Sequence, residues 1–293
     1  MLRNLKIITF MLICVLFILN LGCDGNDQSI RVMTFNIRYD NPGDGENAWP
    51  KRKQHVISMI RFHKADIVGF QEVLSHQVSY IDSSLKDYEW IGVGRDDGIR
   101  EGEYSPVFYN KTKYRLIDEG TFWLSQTPEE VSLGWDAACK RIVTYGVFED
   151  RSSKINFYLF NTHFDHRGEN ARENSAHLLL EKISQIAGEQ QVIVTGDFNA
   201  EPTSVVYQIL TNGSEDSMKS RILIDTKVQS QHPHHGPDGT YTGFDRAYVA
   251  MQPIDYIFIR NRSRVLYHGT LADHFNGFYP SDHYPVLAEI ILN

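Results

Sequence analysis

The sequence is poor in cysteine: only Cys14, Cys23 and Cys139 occur in 293 residues. That excludes a disulfide-stapled scaffold and a cysteine-based zinc finger. It also lacks an excess of positive charge. Lys and Arg number 29 against 37 Asp and Glu, a formal net charge of −8. A protein that coats nucleic acid by bulk charge is thereby excluded, although a local basic cleft is not. No apolar run reaches the ~20 residues needed to cross a bilayer comfortably. There is no P-loop and no G-x-G-x-x-G. No thiol, and no serine in a G-x-S-x-G turn, supports covalent acyl chemistry. No repeat, heptad run or Pro/Ser-rich linker interrupts the chain between Ser29 and Asn293. What is present is ordinary globular composition, 42% hydrophobic and 12% aromatic, on a chain long enough to bury a large core.

The first residues read as an address. Arg3 and Lys6 precede an apolar run from Ile7 to Leu19, which ends at Leu21-Gly22-Cys23 before polar Asp24, Asn26 and Asp27. This is the pattern of a secretory signal. A small residue followed by Cys resembles a bacterial lipobox, with Asn20 standing where that motif usually has Leu. The expectation is a signal over residues 1–22, acylation of Cys23, a short linker over 23–29 and one domain over 30–293. The mature chain is then exported and tethered to the membrane by lipid alone, with no protein partner implied. Cleavage removes two of the 29 basic residues and none of the 37 acidic ones, a balance of −10. Cys139 is left without an intrachain disulfide partner.

Short β-rich runs recur at Ile30–Ile37, Ile67–Gln71, Ser105–Tyr109, Val143–Phe148, Ile155–Thr162, Val192–Thr195, Tyr256–Ile259 and Val286–Leu292, bounded by Gly, Asn, Asp or Pro. Helical spacing of apolar residues appears over Lys51–His63 and Asn170–Ala187. Alternating strands and helices predict a layered α/β fold. Several strands are apolar throughout, as buried ones are. Gln229 to Phe244, rich in His, Pro and Gly, reads as a long loop, with His232, His234 and His235 solvated. Trp123 and Trp135 read as packing residues and Cys139 as a small buried hydrophobe.

The informative pattern lies at the strand ends. Thr34-Phe35-Asn36, Gln71-Glu72, Asn161-Thr162-His163 and Asp197-Phe198-Asn199 each follow an apolar run, and Ser281-Asp282-His283 precedes the last one. Burying such groups without partners costs ~1–3 kcal/mol each. They therefore converge on one another or on a cleft, where α/β proteins place ligands. Asp197 and Asn199, two apart, project to one side of an extended chain. Glu72, Asn36 and Asp282 are hard oxygen ligands suited to Mg²⁺ or Mn²⁺. His163 and His283 can donate to phosphoryl oxygens or move a proton near neutral pH. Asp255 is placed to orient an imidazole.

With these motifs in view the chain resembles the endonuclease/exonuclease/phosphatase superfamily, whose fold is that of DNase I. The motifs are Thr34-Phe35-Asn36-Ile37-Arg38, Gln71-Glu72-Val73, Asn161-Thr162-His163, Gly196-Asp197-Phe198-Asn199, Ile254-Asp255-Tyr256 and Ser281-Asp282-His283-Tyr284-Pro285. They stand in the family's order across nearly the whole mature chain. Further stretches, Trp135 to Arg141 and His163 to Gly168, resemble secreted bacterial members loosely grouped with nocturnin and deadenylases.

The resemblance implies a four-layered α/β sandwich, two packed mixed β-sheets flanked by helices. It implies Mg²⁺-dependent attack of water on a phosphoester without a covalent intermediate. Glu72 would be the main metal ligand, with Asn36 and Asp282 nearby. Asp197 would position or deprotonate water and Asn199 would orient phosphate. His163 and the Asp255–His283 pair would stabilise the phosphoryl group. Arg38, Arg141 and Arg167, with Arg172 beside them, are candidate phosphate contacts. Glu103 would hold the tautomer of His163. Many family members carry an acidic or amide residue where this chain has Arg38, so a second metal at that position is not expected. The first expectation is a nuclease, exo- or endo-; the alternative is a phosphatase or phosphodiesterase on a small or lipid-linked phosphoester. An inactive binding module on the same fold is the third alternative.

Overall fold

A computed structural model describes residues 29–212, 222–245, 247–248, 251–260 and 263–292. The expected signal, Cys23 and most of the expected linker lie outside these residues; Ser29, counted with the linker, is the first residue of a strand. Among the described residues no helix is long and apolar enough to cross a membrane.

In chain order the elements are β1 (Ser29–Asn36), a 3₁₀ turn (Pro42–Asn47), α1 (Trp49–His63), β2 (Ile67–Gln71), α2 (Ser75–Ser84), β3 (Tyr88–Ile91), β4 (Val107–Asn110), β5 (Tyr114–Trp123) and β6 (Ile142–Asp150). There follow β7 (Asn156–His163), α3 (Glu169–Ala187), β8 (Val192–Asp197), α4 (Val205–Asn212), β9 (Ile224–Asp225), α5 (Thr226–Gln229), β10 (Asp255–Arg260), β11 (Arg264–Thr270) and β12 (Val286–Ile291). Two six-stranded mixed sheets form, in the orders β11-β12-β1-β2-β4-β3 and β5-β6-β7-β8-β10-β9.

Three apolar clusters fill the spaces between four layers, as the sandwich requires. Ile30, Val32, Ile67, Phe157, Leu159, Ile193, Ile257 and Ile259 pack between the sheets. Met33, Phe35, Val68 and Phe70 face α1 and α2 through Val56, Ile60, Val78 and Ile81. Phe160, Val192, Val194 and Phe258 face α3 and α4 through Leu179, Ile183, Val206 and Leu210.

The period of two along each strand positions the site. Inward positions on β1 run Ile30, Val32, Thr34, Asn36; on β7, Phe157, Leu159, Asn161, His163; on β8, Ile193, Thr195, Asp197. The antiparallel β10 runs the other way, from Asp255 to Ile257 and Ile259, with Asp255 opposite Asp197. The space between the sheets is therefore apolar at one end and polar at the other.

Just below the polar end, a buried amide network ties the sheets together. Gln71 Nε2 donates to Asn161 Oδ1 (2.7 Å) and Thr34 Oγ1 (3.1 Å), and Thr195 Oγ1 donates to Asn161 Oδ1 (3.0 Å). Asn161 Nδ2 donates to the Phe70 carbonyl at 2.7 Å. Gly69 makes room for it: a Cβ there would stand 2.2 Å from Thr195 Oγ1. Gln71 and Asn161 thus join the sheets rather than line a cleft.

Several local readings are corrected. The strand expected from Ser105 starts at Val107. β3, β5, β9, β11, α2 and α4 had no expected counterpart. β5 is an edge strand, largely exposed through its middle, so it carries no clean alternation. Gln229 to Phe244 is a long loop, as expected, with His232 and His235 exposed, but it is pinned to β11: His232 stacks on Tyr267 (4.4 Å), half-buried His234 Nδ1 meets His268 Nδ1 at 2.8 Å, and His235 bridges Gly269.

Candidate active site

The polar end of the inter-sheet space opens into a cleft of about 540 Å³ lined by Arg38, Glu72, His163, Asp197, Asn199, Asp282 and His283, with Arg95, Glu103, Arg141 and His166 on a second wall. Three site residues stand in left-handed backbone: Arg38 (φ 59°), Glu72 (φ 59°) and Asn199 (φ 47°). Asn adopts this region readily; for Arg and Glu it is uncommon. In each case the chain leaves its strand by a sharp turn that aims the side chain at the cleft.

Asn36 sits at the centre. Its Nδ2 donates to Glu72 Oε1 and to Asp197 Oδ2, both at 3.0 Å. Its Oδ1 accepts from the Arg38 N–H at 3.0 Å. The residue expected as a metal ligand therefore presents its amide donor, not its oxygen, and bridges two carboxylates. Glu72 Oε2 takes the Tyr39 N–H at 3.2 Å, and Ser281 Oγ ties Asp282 Oδ1 (3.2 Å) to the Asn36 carbonyl (2.7 Å).

Asp197 Oδ2 lies 3.5 Å from His163 Nε2 and 3.8 Å from His283 Nε2. Asn199 donates its N–H to Asp197 Oδ1 (3.0 Å), and its Nδ2 stands 3.1 Å from His163 Nε2. Asp255 Oδ2 meets His283 Nδ1 at 2.8 Å. Burial and the nearby Asp255 carboxylate push Asp197 up to about 7. Burial alone would strip the charge from His283, but Asp255, Asp197 and Asp282 together hold it well above the ordinary histidine value. His163 is driven well below that value by burial and by Arg141 and Arg95. The two imidazoles are thus differentiated near neutral pH, one charged and one neutral.

Glu72 and Asp282 face the cleft with hard oxygens, and burial and Glu72 raise the Asp282 carboxyl. A pair of cleft carboxylates in which Glu72 disfavours the charge on Asp282 fits a divalent ion. Asp197, Asp255 and His283 also offer ligand atoms within 4.8 Å of one another, but His283 Nδ1 is already paired with Asp255. The second such group, Cys139, Asp165 and His166, has Arg141 inserted, 3.2 Å from Asp165 Oδ2 and 2.9 Å from His166 Nδ1.

Other expected roles change. Glu103 does not hold His163; it forms a two-pronged pair with Arg95 at 2.8 and 2.9 Å. His163 Nδ1 is buried without a hydrogen bond. Arg141 reaches the cleft but is buried and paired with Asp165. Arg167 is exposed and away from the cleft lining, and Arg172 is turned to the Asp165 carbonyl (2.9 Å). Cys139 is half-buried on the cleft wall.

Sequence reasoning missed Arg95, Tyr241 and Arg52. Arg52 is 2% exposed. It donates to the carbonyls of Asn47 (2.7 Å), Arg38 (2.7 Å), Pro280 (3.1 Å) and Ile37. It pins the Arg38 and Asp282 loops together. Nothing distinguishes it in a run of Lys and Arg opening α1.

The profile of the Endonuclease/Exonuclease/phosphatase family matches residues 33–283. A solved endonuclease/exonuclease/phosphatase from Bacteroides vulgatus superposes with a TM-score of 0.84 at 41% identity, covering 91% of this chain and all of that one. A mannosyl-6-phosphatase from Bacteroides thetaiotaomicron gives 0.83 at 34% identity, covering 90% of this chain and all of that one. Nocturnin from Rattus norvegicus is 24% identical over 242 residues, 74% of this chain and 54% of nocturnin, so the chain spans about half the length of that relative. The family match and the superpositions agree, and the chain belongs to the endonuclease/exonuclease/phosphatase family, whose members hydrolyse phosphoester bonds.

Proposed function

We propose that this protein is a Mg²⁺-dependent phosphatase acting on a small, hydroxyl-rich phosphomonoester of the sugar-phosphate class. One observation carries the choice over a nuclease: each of the three arginines lining the cleft is already paired with a carboxylate. Arg38 pairs with Asp44 (3.1 Å), Arg95 with Glu103 (2.8 Å) and Arg141 with Asp165 (3.2 Å). A polynucleotide track needs unpaired cations to displace counterions along the backbone. A single phosphate needs only a local set of donors and a metal. The full-length likeness to the mannosyl-6-phosphatase supports the same reading.

A divalent ion held by Glu72 and Asp282 would supply Lewis-acid stabilisation of the phosphoryl oxygens. Asp197, poised near neutrality, takes a proton from the attacking water. The water oxygen bonds to phosphorus as the ester P–O bond breaks, and the departing alkoxide takes a proton from solvent or a cleft acid. His283, kept charged by Asp255, donates to the phosphoryl oxygens; Asn199, its Nδ2 held by His163 and the Phe164 carbonyl, and neutral His163 complete the wall. Arg95, Glu103 and His166 face the rest of the substrate.

The test assays phosphate release from hexose 6-phosphates beside cleavage of 5′-labelled single-stranded RNA, with Mg²⁺ and with chelator, for the wild type and Glu72→Gln. Metal-dependent phosphate release with little salt dependence supports the reading. Cleavage of RNA with a steep salt slope and no phosphate release overturns it in favour of a nuclease. We further propose export and anchoring through Cys23: Cys23→Ser should move the protein from the membrane fraction to the soluble one.

A further inference from the structure

Arg38 is held at more points than an arginine making a passing phosphate contact. Its N–H donates to Asn36 Oδ1 (3.0 Å), and its carbonyl accepts from Arg52 Nη2 (2.7 Å) and Gln77 Nε2 (3.1 Å). Its Nε and Nη2 donate to Asp44 at 3.1 and 3.2 Å, and Asp44 is itself fixed by Asn41 Nδ2 at 3.0 Å. This clamp sets the guanidinium beside both carboxylates suited to the metal. Nη1 lies 3.8 Å from Glu72 Oε2, and Nε lies 3.9 Å from Asp282 Oδ2. Both separations are beyond hydrogen-bond range, so the charge is felt while the carboxylate oxygens stay available to an ion. The side chain is a quarter exposed and lines the cleft. A guanidinium keeps its proton at any working pH.

We propose that Arg38 is a resident second cation: it takes the electrostatic place of a second divalent ion, so that the cleft binds one ion. The other carboxylates of the centre are committed elsewhere. Asp197 accepts from Asn36 and Asn199, and Asp255 from His283. The inference rests on the metal-dependent reading above.

The test counts Mn²⁺ bound to the purified protein by calorimetry and by the electron paramagnetic resonance of free Mn²⁺, without substrate. Wild type and Arg38→Lys should bind one ion per chain. Arg38→Asp, which removes the cation and adds a ligand, should bind two and show a spin-coupled pair. Arg38→Gln, which removes the charge without adding a ligand, guards against a variant that fails to fold. It should bind its single ion about tenfold more tightly, because a neighbouring positive charge is gone. Two ions on the wild type, one on folded Arg38→Asp, or unchanged affinity in Arg38→Gln overturns the proposal and leaves a metal-dependent enzyme standing. Absence of binding by every protein overturns the metal reading as well.

Discussion

His283 Nδ1 lies 2.8 Å from Asp255 Oδ2, with both side chains buried. The pair makes His283 a charged donor at a position where burial alone would leave it neutral. Asp255→Asn keeps the shape and removes the charge. We expect kcat to fall by about 10²–10⁴-fold, the size of the contribution a positioned acid or base makes. The sign for pH follows: a donor whose proton affinity is raised loses its proton only at high pH. The alkaline limb of the kcat/KM profile should therefore move to lower pH in Asp255→Asn; an unmoved limb would remove His283 from the chemistry.

Asp197 illustrates function held at the expense of stability. Its carboxyl is raised from 3.8 to about 7, so between those values the unfolded chain has lost a proton that the folded chain keeps. Folding stability attributable to this group falls as pH rises through that window. Asp197→Asn should abolish turnover and, at pH 7.5, raise the melting temperature by a few degrees. Equal or lower melting temperature in a folded variant would contradict the buried-carboxylate account.

Gly69 is where the sheets come closest. A Cβ would meet Thr195 Oγ1 at 2.2 Å and Asn161 Oδ1 at 2.5 Å. Gly69→Ala should cost about 3 kcal/mol or more, by overpacking and by loss of buried hydrogen bonds. Urea denaturation reads this directly, and a midpoint within error of wild type would dismiss the close approach.

Glu72 carries the metal prediction. Chelation should abolish activity and added Mg²⁺ should restore it. Glu72→Gln should lower kcat by at least about 10³-fold while circular dichroism and melting stay near wild type, because the side chain remains isosteric with Asn36 and Tyr39 N–H as neighbours. Full activity in the variant would remove Glu72 from the centre.

The central strands were legible because a buried strand must be an apolar run ended by turn residues, and β1, β2, β7, β8 and β10 obey that rule. The edge strands β5 and β11 were not legible. Half of such a strand faces solvent, so its residues answer to water rather than to a core. Glu72, Asp197, His163, Asp282 and His283 were recognisable because chemistry fixes their type and their place at strand ends. Glu103 was assigned to His163 from resemblance, but Arg95, eight residues earlier, reaches it first and makes the stronger, two-pronged pair.

The sequence by itself determined a layered α/β fold and the motif residues, since both rest on local pattern and on residue type; the four layers came with the family resemblance that those motifs carry. Only the tertiary structure decided which polar strand ends meet. Gln71 and Asn161 satisfy one another between the sheets, while Asp197, one step beyond them, lines the cleft and the fully buried Asn36 bridges it to Glu72. It alone also decided that the cleft arginines are paired with carboxylates, that Arg52 gathers four carbonyls and that Asp44 holds Arg38 beside Glu72 and Asp282. Partners far apart in the chain compete for each charge, and distance in space settles which of them wins.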